Sequence, residues 1–506
     1  MGGLTRNFLA TFLAKAWSSL LSVALVPLYI KFLGVEAYGV VGAFVTIQAL
    51  ISLLDLGFGP ALTRELARLS PEGHDRRQMR DLVRSLEIIY WLVAALIVVA
   101  VGGAAPVIAQ HWLRPHHISP GEIARALEFA GLALAVQWPG NLYGAGLMGL
   151  QRQSMLGLVT ALGGTIRAAL TVGALWQLKP TLPVFFLAQA CGNGVQTLAT
   201  AAILWSALPR GASRSMFSPT LVRAVWRFAT GMVGISFTAI ALTQLDKAIL
   251  SKTLPLQSFG YYVVASTLAG GLYVLISPVF AVLFPKFSQL VAQGDRRAIE
   301  ALYGVGSQFM SVVILPVTAV VMMFSQEILE LWTHNQEVAE NSHVLLSLLI
   351  LGNAMNGLMN IPYAVQLANG WTGLAFYSNI IAILSCAPLI AFLSLHIGAL
   401  GGALVWVLLT FGYIVASLPV MHARLLHGRL RRWYIVDVGF PALASFAVAV
   451  AARMLLPEPL GDLRGAFTLV LVTLGAFAAA LLVAPDLRAL VARRVHPPAT
   501  VGSSSV

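Results

Sequence analysis

Long uninterrupted apolar runs dominate the chain. A bilayer core about 30 Å thick needs about 20 apolar residues per helix, and about fourteen segments meet that length. They run approximately from Phe8 to Ile30, Gly39 to Ala61, Leu86 to Ala109, Ile123 to Leu147, Ser154 to Trp176 and Leu182 to Ser206. After a basic linker come Ala224 to Leu250, Phe259 to Phe284, Val305 to Ser325, Val344 to Ala368, Gly373 to Leu395 and Ala399 to Val420, then Ile435 to Leu456 and Ala466 to Ala484. The runs are continuous and do not alternate with polar residues. They therefore predict helices, which satisfy their own backbone in lipid, and not the strands of a membrane barrel. The expected class is an all-α membrane protein.

Composition agrees. Of 506 residues only 10% are charged, 58% are hydrophobic and the mean hydropathy is +0.82, against about a quarter charged in a soluble domain. The net charge of +12 lies in short clusters between apolar runs, without an aromatic-studded basic domain, so no nucleic-acid partner is expected. With a cytoplasmic N-terminus, alternate loops hold about 22 of the 32 Lys and Arg, including Arg64, Arg68, Arg76, Arg77, Arg80 and Arg84, while the opposite loops hold about five. That bias predicts both termini on the cytoplasmic side. The opposite side is expected to carry an acidic loop from Gln326 to His343. The first span has Lys15 and a Trp17-Ser18-Ser19 step and lacks a small-residue cleavage site, so it does not read as a removable signal peptide. Cys191 and Cys386 lie inside apolar runs and read as packing residues.

A repeat is visible at an offset of 221: Lys31, Leu33, Gly39, Thr46, Leu62, Gly73 and Arg76 meet Lys252, Leu254, Gly260, Thr267, Leu283, Gly294 and Arg297. At an offset of 220, Tyr143 and Leu147 meet Tyr363 and Leu367. Two parallel six-helix bundles follow, residues 1–217 and 218–433, related by an axis along the membrane normal with a central cavity between them. Residues 434–506 add two C-terminal helices and a tail outside the duplication, read as a dimer contact, a lipid contact or an anchor.

Ionisable residues inside spans are functional candidates, because burial in lipid costs free energy that a partner, a cavity or water must offset. Arg167, near the middle of the fifth helix where snorkelling is hardest, is the foremost candidate for binding an anionic substrate. Lys15 and Asp55 share a depth and read as a pair. Arg125, between Glu122 and Glu128, and the neighbours Asp246 and Lys247 lie near the outer face. Lys15 and Arg125 join Arg167 as candidates for substrate binding; Asp55, Asp246 and Lys247 are candidates for ion coupling or gating. A cavity lined by Lys and Arg suits phosphate or diphosphate. Trp138, Tyr143, Tyr363, Trp371 and Tyr377 are candidates for stacking on sugars. His111, His116 and His117 have no sequence-near carboxylate or cysteine at ligand spacing, so no metal is expected. The glycines at 163 and 164 read as helix packing. No Walker motif or dinucleotide fingerprint is present, and no cofactor is expected beyond coupling to H+ or Na+.

The run from Pro27 to Phe44, PLYIKFLGVEAYGVVGAF, and that from Leu54 to Ala67, LDLGFGPALTRELA, resemble the start of bacterial polysaccharide transporters of the multidrug/oligosaccharidyl-lipid/polysaccharide (MOP) flippase superfamily. The nearest likeness is to the O-antigen and capsule flippases of the Wzx type. GLMGLQRQ, from Gly146 to Gln153, is similar to that family's short loop after the fourth helix. The resemblance implies an inner-membrane flippase that moves an undecaprenyl-diphosphate-linked oligosaccharide from the cytoplasmic to the periplasmic leaflet by alternating access. It serves O-antigen, capsule or exopolysaccharide synthesis, with glycan polymerase machinery as a further partner. The family's cationic cavity would be represented by Arg167 and Lys15, transferred by depth. Rival readings are a lipid II flippase, a MATE-type drug or cation antiporter, and a membrane-embedded glycosyltransferase or scaffold. A cation exporter calls for carboxylates in its cavity, whereas the deepest charge here is Arg167.

Overall fold

Hydrocarbon offers the backbone no hydrogen-bond partner, so each continuous apolar run closes its own ladder as a helix. The computed structural model describes residues 13–14, 16–55, 57–69, 76–209, 215–229, 233–456 and 462–495, and among them there are helices and no strand. The first helices are α1 (Ala16–Leu33), α2 (Val35–Ile51), α3 (Phe58–Leu69), α4 (Arg76–Val107), α5 (Pro120–Gly149), α6 (Gln153–Gln177) and α7 (Leu182–Ala207). They are followed by α8 (Pro219–Ala229), α9 (Val233–Thr253), α10 (Leu256–Gly270), α11 (Tyr273–Gln293), α12 (Arg296–Met323), α13 (Ser325–Thr333), α14 (Gln336–Leu358) and α15 (Asn360–Ala368). The last are α16 (Gly373–Ile397), α17 (Ala399–Leu425), α18 (Leu430–Leu455), α19 (Leu463–Leu482) and α20 (Pro485–Val495). Among the described residues ten helices are long and apolar enough to cross a membrane, and Val35–Ile51 is a shorter apolar one. The chain is a multi-pass membrane protein. The long helices α5 and α7 stand outside those ten, and both carry the polar side chains of the cavity described below.

The structure departs from the apolar runs in three places. The span expected from Gly39 to Ala61 is interrupted: α2 ends at Ile51, a 3-10 turn covers Ser52–Asp55, and Gly57 turns the chain at φ +80°. Only glycine adopts that conformation without penalty. Asp55 Oδ2 then accepts the Gly59 N–H at 3.3 Å to start α3. The span expected from Phe259 to Phe284 is divided between α10 and α11 at Gly271 and Leu272. The acidic loop expected from Gln326 to His343 is helical instead: α13 buries Ser325, Leu329 and Thr333, one residue per turn, and Asn335 caps α14 by accepting the Val338 N–H at 3.1 Å. Ile328 and Leu331 of α13 pack against the cluster around Phe324, which gives the helix an apolar face despite its glutamates.

The chain forms two compact units, Met1–Val264 with Asn379–Gly402, and Ala265–Ser378 with Ala403–Val506. In the first, α5 packs chiefly against α7 and α4, and its core joins Leu62, Leu66, Leu82, Leu86, Tyr90, Leu142 and Leu147. The same unit contains a reciprocal crossing of α2 and α10. A Cβ on Gly39 would lie 2.5 Å from the Leu256 carbonyl oxygen, and one on Gly260 would lie 2.3 Å from that of Val35. The offset of 221 carries Val35 onto Leu256 and Gly39 onto Gly260, so this contact is its own image, as a local two-fold requires. In the second unit α12 is the central helix. It packs against α14, α18 and α19, so the last two apolar helices are built into that unit's core around Phe324, Ala449 and Leu469.

Candidate functional site

The first unit holds a partly open cavity in two lobes, each with polar and apolar lining, that share Gln137, Arg167 and Asn193. One lobe, about 370 Å³, lies among α1, α2, α6 and α7, with Ser18, Ser22, Tyr29, Tyr38, Gln48 and Gln189 on its wall. The other, about 310 Å³, lies among α5, α6 and α7, with Asn141, Thr160, Gln196, Thr197 and Thr200. Among the described residues no Asp or Glu lines either lobe. Short side chains on α6 and α7 make this geometry. A Cβ on Gly192 would meet Arg167 Cβ at 2.6 Å and Arg167 Cα at 2.7 Å, so the two helices touch where Arg167 departs.

Arg167 is partly buried, and its Nη1 donates to Asn193 Oδ1 at 2.9 Å. Asn193 Nδ2 in turn donates to the Ala133 carbonyl at 3.1 Å and to Gln137 Oε1 at 3.2 Å, and Gln48 Nε2 donates to the same Gln137 oxygen at 3.1 Å. This chain of carboxamides fixes the guanidinium without neutralising it. Among the described residues Arg167 enters no ion pair. Arg167 lines both lobes, where guanidinium N–H groups can donate to the oxygens of an anion.

The other candidates are placed differently. Lys15 lies outside the described residues, so its expected pairing with Asp55 has no geometry here. Asp55 accepts a hydrogen bond from the Tyr90 hydroxyl as well as the Gly59 N–H. Asp246 accepts one from the Tyr262 hydroxyl, and Lys247 is half-buried on α9. Arg125 is exposed on α5, twelve residues or about 18 Å along the helix from Gln137, and lines neither lobe. Of the five candidates within the described residues, Arg167 alone lines this cavity. The expected helix-packing role suits Gly163, where a Cβ would lie 2.6 Å from Gln196 Cγ; Gly164 has open space and faces the larger lobe.

Among the aromatic candidates, Trp138 stacks on Tyr90 with centroids 6.1 Å apart, and Trp371 packs under the Arg424 guanidinium at 4.3 Å. Tyr363 stacks on Phe280, and Tyr377 is exposed. Tyr143 donates to Glu87 Oε1 at 2.7 Å. Glu87, nearly buried, also accepts from Trp205 Nε1 at 3.1 Å and pairs with Arg84 at 2.7 Å. The backbone N–H groups of His116 and His117 donate to Glu36. Sequence reasoning missed Gln48, Gln137, Asn193 and Glu87. The signal for Asn193 was present, since Gln189, Asn193, Gln196, Thr197 and Thr200 recur at spacings of three and four on α7 and mark a polar stripe.

Helical throughout its described residues, with a cation held in a cavity of its first unit, the chain shares its fold with solved MOP-superfamily transporters. Its fold is similar to that of the lipid II flippase MurJ in an inward closed conformation, with a TM-score of 0.70 and 13% identity over 97% of this chain and 99% of that one. It is also similar to a multidrug resistance MATE family transporter in an inward-facing conformation, with a TM-score of 0.60 and 14% identity over 88% of this chain and 96% of the other. The family described as polysaccharide biosynthesis protein matches residues 4–291, more than half of the sequence, and the chain belongs to that family. The MatE family matches residues 233–393.

Two relatives extend the comparison. A Shigella flexneri protein described as an O-antigen transporter is 20% identical over 386 residues, covering 74% of this chain and 87% of its own length. The succinoglycan biosynthesis transport protein ExoT of Rhizobium meliloti (strain 1021) is 24% identical over 305 residues, covering 58% of this chain and 56% of its own. The resemblance read from Pro27–Phe44 and Leu54–Ala67 is therefore upheld.

Proposed function

We propose that this protein is a flippase for an undecaprenyl-diphosphate-linked oligosaccharide. It moves the headgroup from the cytoplasmic to the periplasmic leaflet of the bacterial inner membrane by alternating access, with both termini in the cytoplasm. The family and the transport relatives support this reading. The observation that carries it is Arg167, a guanidinium held by Asn193 on the wall of a cavity whose lining includes no carboxylate among the described residues. A diphosphate crossing hydrocarbon bears a large desolvation cost. The planar fork of Arg167 meets phosphate oxygens through charge-assisted hydrogen bonds, and the Gln48–Gln137–Asn193 chain holds that fork ready before substrate arrives. The sugars stay in the aqueous cavity and the polyprenyl tail stays in lipid.

A MATE-type cation exporter calls for carboxylates in its cavity, and none lines either lobe among the described residues. For ion coupling we assign Asp55 and Asp246, each of which holds a tyrosine hydroxyl. Association with glycan polymerase machinery is part of the same proposal.

The test is reconstitution in liposomes with a short diphosphate-linked polyprenyl oligosaccharide, scoring headgroup that becomes accessible to an impermeant enzyme in the opposite leaflet. The expected result is protein-dependent translocation that Arg167→Glu abolishes and Arg167→Lys reduces. Translocation by Arg167→Glu at the wild-type rate removes Arg167 from the mechanism. No translocation of several such lipids, together with ion-driven efflux of a cationic dye, refutes the flippase.

A further inference from the structure

Residues 208–229 carry Arg210, Arg214, Arg223 and Arg227 and no acidic residue. They include α8, whose 11 residues reach about 17 Å at 1.5 Å per residue, too short for a hydrocarbon core about 30 Å thick. Yet Met216, Phe217 and Trp226 are 63%, 48% and 44% exposed. On the long helices lipid tails cover such side chains; these three stand on a segment that does not cross the membrane.

Their exposure is fixed by the fold. The Met216 N–H donates to Asp81 Oδ1 at 2.8 Å and the Ser218 N–H to Ser85 Oγ at 2.8 Å, so the backbone on either side of Phe217 is bound to the first turns of α4. Arg80, over the Trp205 ring at 5.3 Å, donates to the Pro209 carbonyl at 3.4 Å. Helix α8 packs against α3 and α4, where Val225 joins the core of the first unit and Trp226 lies against Phe58 with ring centroids 5.5 Å apart.

Arg223 is exposed and enters no ion pair among the described residues. At 3.6 residues per turn Arg223 stands about 160° round the helix from Val225, and Trp226 about 60° from Arg223. The indole therefore marks the border between the buried face and the charged one. An exposed aromatic beside a cation, on a short helix with a packed apolar face, is the arrangement of a segment lying in the plane of a membrane interface.

We propose that residues 216–229 form a docking surface for the headgroups of anionic phospholipids. Met216, Phe217 and Trp226 seat at the boundary of headgroups and acyl chains, and Arg223 takes a headgroup phosphate through charge-assisted hydrogen bonds. Charge selects the occupant, since four arginines without an acid attract an anionic leaflet, and the exposed apolar side chains beside them suit a bilayer better than a soluble acidic partner. In the orientation proposed above that leaflet is the cytoplasmic one. The surface is separate from the cavity, because none of its residues lines either lobe. It requires that the chain span a membrane and is independent of what the chain transports.

The experiment places the full-length protein in nanodiscs of phosphatidylcholine alone, or of equal parts phosphatidylcholine and phosphatidylglycerol, and follows amide hydrogen exchange across residues 216–229 by mass spectrometry. Wild type is expected to exchange at least about fivefold more slowly in the anionic discs, the gain that one basic side chain draws from an anionic surface. Arg223→Glu is expected to abolish that difference, while Arg297→Glu, the same change of charge at an exposed position of α12 in the second unit, is expected to preserve it. Phe217→Ser is expected to speed exchange in both discs, because seating an apolar side chain does not depend on lipid charge. Equal wild-type exchange in the two discs overturns the docking surface and leaves this face to another partner. A difference that survives Arg223→Glu, or that Arg297→Glu removes equally well, overturns it too, since general charge attraction then explains the result. Unchanged exchange in Phe217→Ser overturns the seating of the apolar side chains.

Discussion

Replacing Gly192 by alanine tests the physical basis of the site with the smallest possible perturbation. The added methyl carbon would stand 2.6 Å from Arg167 Cβ and 2.7 Å from both Arg167 Cα and Cγ. Carbon atoms in comfortable contact are about 3.5–4.0 Å apart, so the shortfall is about 1 Å. A rotamer change cannot relieve it, because Cα belongs to the backbone. Helices α6 and α7 must separate by a comparable distance, which costs about 1–3 kcal/mol as overpacking. The same displacement lengthens the Arg167–Asn193 bond from its 2.9 Å. Misplacement of a positioned group by about 1 Å can cost on the order of a hundredfold in rate. Gly192→Ala should therefore melt below wild type in the same detergent and translocate the diphosphate-linked lipid at least about tenfold more slowly. The control is Gly173→Ala on α6, where a Cβ meets nothing within 4 Å. If Gly192→Ala matches Gly173→Ala in both melting and transport, the close approach of α6 and α7 does not position Arg167 and the argument fails.

Three further outcomes follow from packing elsewhere. Glu87→Leu leaves the Tyr143 hydroxyl and the Trp205 N–H without their acceptor, at about 1–3 kcal/mol for each orphaned buried group; Arg84 is half exposed and adds little. Thermal melts should show Glu87→Leu well below wild type and Glu87→Gln between them, and equal melts would exclude the network. Gly39→Ala and Gly260→Ala clash with the Leu256 and Val35 carbonyls in turn and should lower the melting temperature by similar amounts; a neutral effect in one and a large loss in the other would contradict the local two-fold. Gln308 is fully buried, donates to Asp437 at 2.8 Å and accepts the Asp486 N–H at 2.9 Å. Gln308→Leu should speed hydrogen exchange across Pro485–Val495, and unchanged exchange would mean that Arg432, which bonds both Asp486 carboxylate oxygens, holds α20 unaided.

The linear order of residues determined the class of this protein. Long apolar runs read as helices in lipid, and the register that links Lys31 to Lys252 and Gly39 to Gly260 is the pattern a duplication leaves in a sequence. Arg167 was legible for the same reason, since a charge deep in an apolar run is costly wherever the helix packs. Tertiary structure decided what surrounds it. Gln48, Gln137 and Asn193 are neutral and sit on three different helices, so no local pattern shows that their amides join into one chain. Depth along the chain suggested that Asp55 pairs with Lys15, which lies outside the described residues, whereas the hydrogen bonds of Asp55 to Tyr90 and Gly59 depend on a turn that Gly57 permits and that no local pattern shows. Arg125, a second candidate for substrate binding that the sequence put near the outer face, is exposed and lines neither lobe. Hydropathy is a property of single residues summed along the chain, whereas a binding site depends on which helix faces meet, and that is settled by the packing of small residues such as Gly192 against their neighbours.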